Sequence, residues 1–265
     1  MKIFKVVLVT IALLVTNRTE AQRKVTTIVP PPGFVRYESH SYGTYLRNLP
    51  LKRPGTTVKL YNGVEKGYQD GVYAVIDMEI GTKDLQQCAD AVMRLRAEYL
   101  WHSKQLDKIH FNFTCGFRAD YVTWAKGYRV KVNGNNASWY KATEEDYSYD
   151  TFRKYMDIVF TYAGTASLSK ELDPVSIDDI KIGDIFIIGG HPGHAMLIVD
   201  LAVDRFGNKA IMVAQSYMPA QDIHIVTNLS SNTRSPWYII NNNTSDLHFP
   251  EFHFTVNQLK RFKEE

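Results

Sequence analysis

Few side chains in this sequence combine reactivity with an informative position. There are two cysteines, Cys88 and Cys115. In an oxidising compartment such a pair is expected to close a disulfide. A cysteine left unpaired is a nucleophile once its thiol ionises, and both readings of Cys88 stand. The histidines of interest lie in residues 183–215, GDIFIIGGHPGHAMLIVDLAVDRFGNKAIMVAQ. There His194 opens a strand at the end of a Gly-rich turn, where its ring is expected to reach both sheet and solvent. His191 and His194 also form an H-x-x-H pair that could draw in Asp184, Asp200 or His224 around a metal. Zinc peptidases carry such pairs on a helix with a Glu between them. A Gly-Pro turn offers neither, so no metal or other cofactor is expected. Glu144, Glu145 and Asp146 read as a solvated loop, because nothing holds two of their carboxylates at the separation glycoside hydrolysis needs.

The elements that must position these groups follow from periodicity. Apolar residues recur on one face from Lys83 to Trp101, at Leu85, Cys88, Ala89, Val92, Leu95 and Tyr99, predicting a helix capped by Thr82 or Asp84. Cys88 then lies in or near its first turn, where unpaired N–H groups favour an anion. Arg94 and Arg96 on this helix read as surface or ion-pair residues. Short apolar runs bounded by glycines predict strands at Asp184–Ile188 and Ala195–Val199. Further strands are expected at 58–61, 72–80, 109–114, 222–227 and 237–240, with helices at 118–126, 148–163 and 256–262. Strands and helices followed by a run of antiparallel strands make the class α+β.

The N-terminus begins MKIFK, continues apolar from Val6 to Val15 and reaches Thr19-Glu20-Ala21, the pattern of a cleavable signal peptide over residues 1–21. An exported protein, periplasmic or secreted, is expected, and no stretch approaches the roughly 20 residues of a transmembrane segment. Loss of Lys2, Lys5, Arg18 and Glu20 with that peptide takes the formal charge from +3 to +1, which excludes electrostatic attraction to nucleic acid. Residues 22–56, rich in Pro, predict an extended N-terminal arm, and residues 57–265 a single domain. The 16 Tyr, 13 Phe and 4 Trp suit either a core or an open groove for a peptide or glycopeptide ligand. Ser216, Tyr217 and Gln221 follow the last strand of the focal stretch as its turn or as one wall of such a groove.

A cysteine early in a helix, then much later Gly-Asp with an apolar strand, a Gly-rich turn and Gly193-His194, resembles the papain-like cell-wall peptidases and amidases of the NlpC type. The resemblance implies an antiparallel sheet packed against helices, Cys88 as nucleophile and His194 as base. It also implies an orienting polar residue on the next strand, which is Gln215. Gln86 or Gln87 would then help the Cys88 N–H stabilise an oxyanion, and an imidazole beside Cys88 would hold the thiolate as an ion pair. From about Ser41 to Phe262 the chain is also similar to an uncharacterised family of exported Bacteroidetes proteins, on stretches such as QCADAVMRLRAEYL, HFNFT and AQSYMPAQDIHI. That family is known only as a domain of unknown function. Together these imply a cysteine peptidase or amidase acting on peptide or amide bonds of cell-wall fragments. The alternative is a non-catalytic protein that binds glycan or peptide on the same scaffold. Whether Gln215 reaches His194 depends on the hairpin between their strands. A turn at Phe206-Gly207 leaves them four residues apart, about 13 Å at strand rise, whereas a turn at Asp204-Arg205 sets them opposite.

Overall fold

The computed structural model describes residues 22–39, 41–241 and 243–263, and the predicted signal peptide lies outside them. In chain order the first half forms β1 (Phe34–Arg36), α1 (Tyr42–Arg47), β2 (Val72–Val75), α2 (Cys88–His102), β3 (His110–Asn112), β4 (Arg118–Asp120) and α3 (Tyr121–Ala125). A hairpin of β5 (Tyr128–Asn133) and β6 (Asn136–Lys141), then α4 (Tyr149–Tyr162), α5 (Thr165–Glu171) and β7 (Leu172–Pro174) follow. The last third is all strand: β8 (Ile185–Ile188), β9 (His194–Asp204), β10 (Lys209–Gln215), β11 (His224–Val226), β12 (Trp237–Ile240), β13 (Asp246–His248), β14 (His253–Thr255) and β15 (Leu259–Phe262).

Nine strands make one sheet in the order β2-β11-β10-β9-β8-β15-β7, with β1 also on β9 and β12 also on β10. Every pairing in it is antiparallel, so the protein is α+β with a large antiparallel sheet. The central strands β9 and β10 are buried along almost their whole length on both faces. Hence they read as continuous apolar runs rather than as an alternation. Helix α2 packs across them, burying Ala89, Val92, Met93, Leu95, Ala97 and Leu100. No helix among the described residues is long and apolar enough to cross a membrane.

Several expectations are corrected. The helix carrying Cys88 begins at Cys88 rather than at Lys83, because residues 83–87 spend their backbone bonds on tight turns, Leu85 N–H to Lys83 O and Gln87 N–H to Leu85 O. Of the two roles expected for Arg94 and Arg96, surface or ion-pair, the surface one is excluded, since they are 2% and 5% exposed, and Arg94 takes the ion-pair one. The Arg94 guanidinium donates to Glu98 Oε1 at 2.6 Å, to Gln86 Oε1 at 3.1 Å and to the Tyr149 hydroxyl at 3.1 Å. Arg96 lies over the rings of Tyr42, Tyr99 and Phe262. The predicted closing helix is a single 3-10 turn, Val256–Gln258, followed by strand β15. The spacing of Val256, Leu259 and Phe262 suits a helix, but β15 fills the place between β8 and β7, and backbone pairing there outweighs local preference. Residues 118–126 split into β4 and α3, and residues 58–61 make only single bridges, to Glu65 and Gln221. The N-terminal arm is not wholly extended, since it folds into α1 and inserts Val25, Tyr42, Leu46 and Leu49 into the core. Its arginines clamp β9, Arg36 and Arg47 both binding the fully buried Asp200 carboxylate, at 2.8 and 2.6 Å.

Because the Arg94–Glu98 pair is buried on both sides, removing one partner strands a charge. Arg94→Ala is expected to lower unfolding stability by about 3–5 kcal/mol, read as a drop in the denaturant midpoint.

Candidate active site

The site is assembled at the N-terminal end of α2 and at the adjoining ends of β9 and β10. Cys88 is the first residue of its helix, capped by Gln87, whose N–H donates to the Asp90 carboxylate at 3.0 Å. Two bonds dock the segment before the helix onto the segment after β10. The Ser216 hydroxyl donates to Gln86 O at 3.1 Å, and Ala220 N–H donates to Asp84 Oδ1 at 2.7 Å. On β9, His194 follows Gly193, where an added Cβ would fall 2.5 Å from Gly190 O and 2.8 Å from Ile188 O. That crowding explains the glycine before the histidine, since the turn folds back on itself there.

The hairpin between β9 and β10 is closed by Asp204 N–H to Asn208 O at 3.0 Å, with Gly207 at φ +86°. This is close to the turn expected to separate His194 from Gln215, yet the two side chains touch. The reason is a β-bulge. Met212 pairs with Asp200 but Val213 pairs with Ile198, so Val199 is an extra residue on β9. Without it, Gln215 would face Leu197 and lie on the opposite side of the sheet from His194, because facing alternates residue by residue. With it, the register sets Gln215 opposite Met196, on the same face as His194 and diagonal to it. Long side chains span such a diagonal of about 7–8 Å, and His194 Nε2 lies 2.7 Å from Gln215 Oε1.

The backbone N–H groups of Cys88, Ala89 and Ala195 favour the anionic form of the Cys88 thiol, so the thiol lies near the backbone of the residue next to His194. Tyr217, whose ring centroid is 4.8 Å from that of His194, also feels the charge of Cys88. Cys88 and Cys115 are both free, Cys88 buried and Cys115 exposed, so no disulfide withdraws Cys88. The predicted exposed histidine is buried instead. His194 is 2% exposed, because Tyr217 and Phe252, the latter 4.7 Å between ring centroids, cover it.

Burial governs the electrostatics. It pushes the Cys88 thiol up to about 11, with the Asp90 charge adding to the rise and the surrounding N–H groups opposing it. Burial also drives His194 down to about 4, against the Gln215 hydrogen bond and with help from the Lys66 charge. Asp90 is itself raised by burial to about 8, against the hydrogen bonds it accepts from the Gln87 and Asp90 backbone. The Cys88 and His194 shifts both oppose the expected thiolate–imidazolium pair and favour a neutral thiol and a neutral imidazole.

Of the other predicted site residues, Gln87 caps the helix and His191 sits exposed on the turn. Gln86 is buried with its Oε1 on Arg94 and its Nε2 without a partner. Ser216 is buried, its hydroxyl engaged by Gln86 O and Gln221 O, so neither it nor Gln86 lines a groove. Tyr217 is half-buried over His194. The carboxylates considered as metal ligands are taken by arginines, Asp184 by Arg261 and Asp200 by Arg36 and Arg47.

Three neighbours escaped the sequence reading as parts of this site. Gln215 Nε2 donates to Glu251 Oε2 at 2.8 Å and lies 3.3 Å from His224 Nε2, and Glu251 is paired with Lys66 at 2.5 Å. Nothing local marks Lys66 or Glu251, and His224 stood out only as a possible metal ligand. Clefts of about 680 Å³, lined by Arg53, Tyr73 and Arg234 among others, and about 500 Å³, lined by Tyr42, Arg96 and Lys181 among others, include neither Cys88 nor His194.

In a Cys115→Ser protein, the rate of Cys88 alkylation by iodoacetamide is expected to climb about tenfold per pH unit from 7 to 10, as the thiolate fraction does. A rate that is flat from pH 5 to 8 and falls in His194→Ala would show an ion pair instead.

No curated protein and no solved structure matches the chain. Residues 25–261, which include every group of this site, match one family model, and the chain belongs to that family, described as Domain of unknown function (4846).

Proposed function

We propose that this protein is an exported cysteine hydrolase of papain-like architecture that cleaves peptide or amide bonds, with Cys88 as nucleophile, His194 as general base and Gln215 orienting the imidazole. The observation that carries the reading is the 2.7 Å bond between His194 Nε2 and Gln215 Oε1, on a strand whose next residue, Ala195, acts through its N–H on the Cys88 thiol. On this reading three groups from two strands and a helix act in the order nucleophile, base, orienter. The substrates that the resemblance to NlpC-type enzymes points to are peptides of cell-wall fragments.

Starting from a neutral pair, attack and proton transfer run together. The Cys88 sulfur bonds to the carbonyl carbon as its proton passes to His194 Nδ1, and the carbonyl oxygen takes up the negative charge. First-turn N–H groups of α2, at Cys88 and Ala89, have no acceptor within the helix; they face the thiol at rest and turn to that oxyanion as the sulfur is acylated. Collapse expels the amine, protonated by His194, and water then releases the acyl group by the reverse sequence of transfers. Burial makes this economical in one respect, since no charged pair has to be kept in a dry site before substrate arrives.

The same burial favours a second reading. With His194 2% exposed under Phe252 and Tyr217, a substrate must displace these rings, and a scaffold that only binds glycan or peptide needs no such movement. Cys88→Ala separates the two. On a muropeptide digest, the wild-type protein is expected to release new amine ends and the variant none, with an unchanged thermal midpoint. Equal cleavage by the variant removes Cys88 as nucleophile, and no cleavage by either leaves the binding reading.

A further inference from the structure

We propose that Glu251, held by Lys66, acts together with His224 to lock the side-chain amide of Gln215 in one orientation, and that this lock fixes His194 as the tautomer protonated on Nε2. These three are positioning residues: none is placed against the Cys88 thiol.

A glutamine amide is nearly symmetric in shape, and turning it by half a rotation exchanges an acceptor for a donor. In the orientation observed, Oε1 faces His194 Nε2 at 2.7 Å, while Nε2 faces Glu251 Oε2 at 2.8 Å and His224 Nε2 at 3.3 Å. Both groups on the Nε2 side can only accept. Glu251 is a carboxylate bound through both oxygens to Lys66, itself 9% exposed. His224 is fully buried, and its Nδ1 lies 3.0 Å from Asp222 O. A carbonyl oxygen cannot donate, so the His224 proton is on Nδ1 and Nε2 presents a lone pair. The amide's two N–H groups therefore satisfy two fixed acceptors.

Turned over, the amide would set Oε1 against the carboxylate and the lone pair, with Gln215 and His224 both buried, where an unsatisfied acceptor is costly. With Oε1 fixed toward His194, only a donor satisfies it, so Nε2 of His194 carries the proton and Nδ1 keeps the lone pair. That assignment is the one a base needs if the thiol approaches from the Nδ1 side. Lys66 has a share in this, because it holds both oxygens of the Glu251 carboxylate in place.

The catalytic consequence rests on the cysteine-hydrolase reading, whereas the tautomer does not. The test is the protonation of the His194 ring nitrogens by long-range 1H–15N NMR on histidine-labelled protein, with kcat and KM for the muropeptide digest measured alongside. In the wild-type protein His194 is expected to carry its proton on Nε2 alone. The double variant Lys66→Met/Glu251→Leu removes the acceptor without stranding a charge, and should populate both tautomers with kcat lowered about 10- to 100-fold, by analogy with groups that orient metal-bound histidines, at little change in KM. Glu251→Gln keeps the shape but accommodates either amide orientation, and should also show both tautomers should the double variant not fold. A wild-type His194 protonated on Nδ1, or variants that retain the wild-type tautomer alone, overturn the lock. A shifted tautomer with unchanged kcat leaves the lock standing and removes His194 from the reaction.

Discussion

The pairing of β9 with β10, and the one-residue bulge within it, is the constraint on which the rest of the site depends. Side chains on a strand alternate between faces, so a single extra residue decides which side of the sheet every later residue serves. Val199 is that residue: above it β9 pairs in one register, and below it in another. The two strands also change partners at this level. The lower part of β9 lies beside β8 and the upper part beside β1, while β10 passes from β12 to β11. The bend that a bulge introduces thus serves two purposes, bringing Gln215 onto the face of His194 and handing β10 to the strand that carries His224.

Around that point the protein gathers buried polar groups and satisfies most of them. Asp200, directly after the bulge, is bound by Arg36 and Arg47 from the N-terminal arm, so the arm belongs to the fold and stabilises the bend. Lys66 and Glu251, distant in sequence, close a second ion pair behind Gln215. A buried charge pair repays its desolvation only when its geometry is good and its remaining hydrogen-bonding capacity is used. Glu251 meets that condition by accepting from both Lys66 and Gln215. The same dryness that strengthens these bonds raises the Cys88 thiol and lowers the His194 imidazole. Order and reactivity pull in opposite directions here.

Much of the scaffold was legible from local pattern. The strands read at 184–188, 195–199 and 237–240 announce themselves as apolar runs between turn residues, though the second runs on to Asp204, and α4 by its 3.6-residue period with Gly164 beyond its end. Cys88 and His194 were identifiable because each sits at the start of an element. The reading failed where tertiary contacts outweighed local preference. Arg94 and Arg96 look like solvent-facing residues until Glu98, Tyr149 and three aromatic rings are seen to enclose them. Residues 259–262 have helical spacing but were needed as a strand between β8 and β7.

The amino-acid sequence by itself determined the α+β class, the helix that carries Cys88, the strand that opens near His194, and the glycines that allow the turn before His194. These depend on neighbours along the chain, through periodicity, capping and backbone freedom. Only the tertiary structure decided that Cys88 is free of Cys115, that the two titrating groups are buried and neutral, and that Gln215 shares a face with His194. It alone brought Lys66, His224 and Glu251 to the amide of Gln215. Each of these depends on register and on contacts between residues far apart in sequence. A bulge of one residue leaves no trace in hydrophobic pattern when the strand is buried on both faces, as β9 is, because every position there is apolar or paired.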